Sequence, residues 1–161
     1  MFLDLPLILE TRRNHAVEHA TLHILARKFR ISMGGHSNPT GFYLMGNLNK
    51  EDIQVAADEA MQRLRAGESE LAIHPGCGTN LATSALLPAM FAYVPFQGTK
   101  SNFWRLFLIP VALVFAVFGY FLSKPLGPWL QRYVTTEADL GKMRIVDIIY
   151  VRKGLHRVIT K

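Results

Sequence analysis

The sequence predicts an α+β protein: a small cytoplasmic domain with a metal-motif helix, interrupted by a transmembrane helical hairpin, with a C-terminal β-hairpin. Three stretches carry that expectation. His15-Ala16-Val17-Glu18-His19 sets two histidines one helical turn apart. Residues 81–122 are apolar except for Thr83, Ser84, one polar turn and Arg105. Residues 143–159 are rich in Ile, Val and Tyr around Lys153-Gly154. The implied boundaries are 1–80 for a cytoplasmic α+β metal-site region and 81–123 for the membrane hairpin. Residues 124–161 form a cytoplasmic β tail that returns to pack on the first region.

Composition agrees with a split chain. Half of the 161 residues are hydrophobic while 19% are charged, and the apolar ones concentrate late. The net charge of +6 would suit nucleic acid in a soluble protein. Here the basic residues flank apolar segments, which fits an anionic membrane surface better, and no aromatic-basic RNA motif is present. The expected partners are therefore the lipid bilayer and no nucleic acid. Cys77 is the single cysteine, so no intrachain disulfide can form.

The first ten residues lack a basic start, and Asp4 and Pro6 interrupt their apolar run, which argues against a signal peptide. Asp4 is placed to cap a helix with Pro6 in its first turn. That helix runs into the motif and ends in Arg27, Lys28 and Arg30 before Gly34-Gly35. Its apolar first turns suit either a bilayer surface or core packing. On it, His15 and His19 share a face and can converge on one metal, with Glu18 beside them as general base or as a support for a histidine. His23 lies about 12 Å along the axis from His15, too far for all three to bind one ion. Leu22, Ala26 and Phe29 flank this polar face.

Residues 35–41 read as a turn-rich loop in which His36 is a weak ligand candidate. Phe42-Tyr43-Leu44-Met45 reads as a strand. Asn49 caps a second helix with Glu51 and Asp52 in its first turn and an apolar stripe of Ile53, Ala57, Ala60, Met61 and Leu64. Gly67 ends it, and Glu70-Leu71-Ala72-Ile73 reads as a short strand.

His74-Pro75-Gly76-Cys77-Gly78-Thr79-Asn80 is the second informative stretch. A His and a Cys three apart among glycines can turn toward one point, making His74 and Cys77 the best source of the missing ligands. Thr79 or Asn80 caps the next helix, from Leu81. Gly76, Gly78 and Thr79 then offer main-chain N–H groups as an anion or oxyanion cradle. Residues 81–96 are short for a span and read as kinked or re-entrant. Phe103–Leu122, 20 residues with Arg105 as its one charge, reads as a transmembrane helix. Basic flanks on both sides put both termini in the cytoplasm. Trp129 and Tyr133 suit interface anchors.

His15-Ala-Val-Glu18-His19 followed by His74-Pro-Gly-Cys77-Gly-Thr, just ahead of apolar helices, resembles a group of uncharacterised bacterial membrane proteins labelled metal-dependent enzymes by inference. The 35–42 loop is similar to a shorter subgroup of these domain-of-unknown-function proteins, associated with phototrophic bacteria. The resemblance covers residues 15–135. It implies a membrane-bound bacterial protein and a metal, with no substrate specified; the His and Cys donors suit Zn²⁺ or another divalent transition metal, and the basic flanks suit the inner membrane. A narrower likeness to inverzincin metallopeptidases covers His15, Glu18 and His19 alone; the further acidic ligand of that family has Glu59 as a weak counterpart. The resulting expectation is a membrane-bound zinc-dependent hydrolase, a peptidase among the options, acting on a peptide or lipid-linked substrate with Glu18 as base. The competing expectation is a non-catalytic accessory or assembly subunit of a larger membrane complex, such as a photosynthetic one, with a structural metal.

Overall fold

The computed structural model describes residues 2–31 and 33–161. It is α+β, with four α-helices and one four-stranded antiparallel sheet among the described residues. The helices are α1 (Pro6–Phe29), α2 (Lys50–Arg65), α3 (Gly78–Tyr93) and α4 (Asn102–Leu130); the strands are β1 (Gly34–Asn38), β2 (Gly41–Met45), β3 (Ile145–Arg152) and β4 (Leu155–Thr160). The chain divides into two units, residues 1–75 with 131–161, and residues 76–130.

In the first unit the sheet order is β1-β2-β4-β3. The C-terminal hairpin forms as expected, and β4 pairs with β2, Phe42 opposite Val158 and Leu44 opposite His156. Alternation puts Phe42, Leu44, Ile148 and Val158 on the covered face. Helices α1 and α2 pack there and against each other. The α2 stripe is buried as its spacing requires. Between Arg12 and Leu25, α1 is buried on nearly every side. Its polar groups find partners inside the unit: Arg12 donates to Thr136 O at 3.0 Å, Asn14 donates to Asn38 O at 2.9 Å and accepts from Thr160 Oγ1 at 2.7 Å. Burial of this many polar groups is tolerated because they are hydrogen-bonded.

Several local expectations are corrected. Asp4 does not cap α1; it lies in a short 3-10 turn, Leu5 precedes the helix, and Pro6 opens it. α1 stops at Phe29, with Arg30 in the left-handed conformation (φ 50°), so Gly34-Gly35 is no helix stop. Ala26, expected beside the histidine face, is exposed. The 35–41 stretch is mostly strand β1, with only Pro39-Thr40 as its turn; Asn38 Oδ1 accepts from Thr40 N at 3.0 Å and closes it. Residues 69–72 form a 3-10 turn rather than a strand. Asn49 holds the N-cap position of α2 without a side-chain cap bond.

In the second unit α3 and α4 pack antiparallel. The Phe91 and Phe118 ring centroids lie 5.6 Å apart. A Cβ on Gly119 would stand 2.9 Å from Leu87 O, and one on Gly127 would stand 2.3 Å from Asn80 Oδ1. Small residues thus allow close helix approach. Neither helix is a buried core element: Leu81, Leu86, Phe107, Leu113 and Phe121 are exposed. One continuous helical stretch, Asn102–Thr135, is long and apolar enough to cross a membrane, with mean hydropathy 2.4 over its most apolar window. α3, at 16 residues, spans about 24 Å, short of a hydrocarbon core of about 30 Å. The helix expected from Leu81 begins earlier, at Gly78, with Cys77 rather than Thr79 or Asn80 as its N-cap.

Candidate metal centre

The first unit assembles four histidines into a ladder. His15 and His19 have ring centroids 4.2 Å apart, as one helical turn dictates, and offer ring nitrogens within 4.8 Å of each other. His74 stands 5.6 Å from His19 and 4.7 Å from His23. The segment after α2 therefore carries His74 back onto the histidine face of α1.

Main-chain carbonyls set the tautomers. His15 Nδ1 lies 2.8 Å from Thr135 O, and His19 Nδ1 lies 2.6 Å from Ala72 O. A carbonyl can only accept, so both Nδ1 atoms carry the proton and Nε2 carries the lone pair of the neutral ring. Carbonyl bonds of this kind orient imidazoles and leave Nε2 of each available as a donor to a metal. His23 is reversed: its Nε2 lies 2.8 Å from Ile73 O, so in the neutral tautomer the lone pair is on Nδ1. Burial first, then the neighbouring His23 and His19, push the His74 pKa down to about 4, so its ring is neutral at neutral pH.

Glu18 is buried with His19, and its Oε2 accepts from Ser37 Oγ at 2.5 Å. A Cβ on Gly35 would stand 2.3 Å from Glu18 Oε1. The glycine-rich composition of β1 thus lets the strand cross directly over this carboxylate. Ser37 and Gly35 escaped the sequence reading because the stretch reads as a loop.

The remaining candidates fall elsewhere. His36 is exposed on β1 and pairs in register with Tyr43. Glu59 is exposed on α2 and paired with Arg63 at 3.4 Å. Cys77 belongs to the second unit, where it is buried and its Sγ accepts from Thr79 N at 3.5 Å. That bond engages one N–H of the expected cradle, whose Gly76 and Gly78 are exposed.

Sequence reasoning also missed the segment that follows α4. Gln131–Thr135 is a π turn, a rare form often found at functional sites. Its Thr135 carbonyl orients His15, and Gln131 Oε1 accepts from His74 N at 2.9 Å. Arg12 anchors the same segment through Tyr133 O and Thr136 O. Nothing in the sequence marked Gln131, since its burial and its partner, His74, follow only from the fold.

Residues 10–148 match the family model described as "Domain of unknown function (DUF6391)". The chain belongs to the DUF6391 family. An uncharacterised protein of Picosynechococcus sp. (strain ATCC 27264 / PCC 7002 / PR-6) is 33% identical over 149 residues, covering 83% of this chain and 69% of that protein. No solved structure matches. The DUF6391 match spans the histidine ladder, the apolar helices and the π turn.

Proposed function

We propose that this DUF6391 protein is a membrane-bound, zinc-dependent hydrolase with its centre at the cytoplasmic membrane surface. The observation that carries the reading is the His15–His19 pair, 4.2 Å between ring centroids, with both Nδ1 atoms committed to carbonyls. Two imidazoles and a thiol are the N and S donors that zinc and related ions favour. His15, His19 and Cys77 would hold the ion, and His74 would join them in a closed, four-ligand form. Support for Cys77 comes from the chain: it follows His74 by three residues, so the two Cα atoms are at most about 11 Å apart. When bound, the ion supplies Lewis-acid polarisation of a carbonyl and of water. Glu18 is the carboxylate on the same helix that would accept a proton, and Ser37 holds it in place. The substrate class is a peptide or lipid-linked molecule. The long apolar helix supports a bilayer setting, with the inner membrane and cytoplasmic termini inferred from the basic flanks.

A second reading is favoured by Glu18 itself. A carboxylate hydrogen-bonded to Ser37 and roofed by Gly35 is also what a structural metal site would build, in an accessory or assembly subunit of a membrane complex. Glu18→Gln separates the two. A hydrolase variant keeps its metal and loses activity by roughly 10²–10⁴-fold. A structural site instead loses metal affinity by roughly 10–100-fold. Complementation of a deletion strain, run beside metal analysis, reads both; full complementation with full metal content removes the enzyme reading.

A further inference from the structure

We propose that Gln131 is the positioning residue of the histidine centre, its carboxamide oxygen fixing the main chain that presents His74; the inference rests on the metal-centre reading above. Gln131 is fully buried. Its Oε1 accepts from the His74 backbone N–H at 2.9 Å. That bond fixes which end of the amide faces His74, because only the oxygen can accept. The opposite end has no such use: Nε2 is buried with no hydrogen-bond partner among the described residues. A buried donor without a partner is a cost that an apolar side chain of the same shape would avoid. Methionine would avoid that cost but leave the His74 N–H without its acceptor, so the oxygen is what glutamine contributes here.

The setting makes that oxygen a control point. The Gln131 main chain is held twice by Thr136, whose N and Oγ1 donate to Gln131 O at 2.9 and 2.8 Å. Four residues on, Thr135 O accepts a hydrogen bond from His15 Nδ1. One π turn therefore orients two rungs of the ladder, His15 through a main-chain carbonyl and His74 through the Gln131 side chain. Groups that orient metal ligands in this way typically change metal affinity when removed.

The test uses the full chain in detergent, with Gln131→Met and Gln131→Glu. Two quantities are read: hydrogen exchange of the His74 amide in metal-free protein, and Zn²⁺ affinity by competition with a chelating dye. Gln131→Met should lose exchange protection at His74 and bind Zn²⁺ roughly 10–100-fold more weakly. Gln131→Glu keeps the acceptor and should restore both. Thr136→Val perturbs the same turn but leaves the Gln131 side chain in place, and should match the wild type in both. Wild-type exchange at His74 in Gln131→Met overturns the proposal, as does lost protection in a folded Gln131→Glu. Should the wild type bind no Zn²⁺, the metal reading falls alone, and the exchange data still decide the role of Gln131.

Discussion

Replacing Gly35 by alanine tests whether the Glu18 carboxylate is packed beneath β1. The added Cβ would sit 2.3 Å from Glu18 Oε1, 2.5 Å from Cδ and 2.7 Å from Cγ. Gly35 does not have a positive φ, so the substitution carries no backbone strain and its cost is steric. Either the strand lifts or the carboxylate swings away from Ser37. Overpacking of this kind costs about 1–3 kcal/mol, and a lost hydrogen bond to a charged group costs about 1.5–3 kcal/mol. Relief of one brings on the other, so about 2 kcal/mol is expected in total, or roughly 4–8 °C in melting temperature for a chain of this size. Thermal unfolding of the full chain in detergent reads it. The diagnostic arm is the double variant: with Glu18→Ala already in place the space is vacant, and adding Gly35→Ala should cost almost nothing. A melting temperature unchanged by Gly35→Ala, or an equal loss in the Glu18→Ala background, would refute the packing argument.

Metal content gives the next expectation: His19→Ala should abolish binding of about one ion per chain and Cys77→Ala should weaken it, and a fully loaded His19→Ala protein would contradict the centre. His156, buried beside Tyr150, has its pKa lowered from 6.5 by burial. The folded state therefore resists protonation that the unfolded chain accepts. Its contribution to stability is complete above about pH 6.5 and lost as pH falls through the folded value. His156→Phe should flatten the fall in melting temperature between pH 7.5 and 5.5, and an unchanged slope argues against it. Finally, Asn102–Thr135 should keep the protein in the membrane pellet after alkaline carbonate, and release into the supernatant would show that it does not span.

How much of the site was legible depended on distance along the chain. His15 and His19 were paired by helical periodicity alone, and their ring separation follows from it. The C-terminal hairpin and the α2 stripe were likewise written in period-2 and period-3.6 patterns. Placement of His74 against His19 and His23 was only half legible, since the His-x-x-Cys spacing marks it as a donor without saying which face receives it. Glu18 was legible as chemistry but not as environment. Nothing local in Gly35-His36-Ser37 announces an edge strand, because glycines there serve a close approach to another element rather than a turn. Gln131 was invisible for the same reason: its partner, His74, lies 57 residues away in sequence.

The sequence by itself determined the element types whose signal is periodic, the apolar length of α4 and the donor residues available for a metal. These depend on side-chain spacing within one helix or strand. Tertiary structure alone decided the tautomers of His15, His19 and His23, the burial of Glu18 beneath β1 and the pairing of β4 with β2. Each of those rests on a main-chain carbonyl, a strand or a side chain contributed from a distant segment, and such contacts exist only once the chain has folded back on itself.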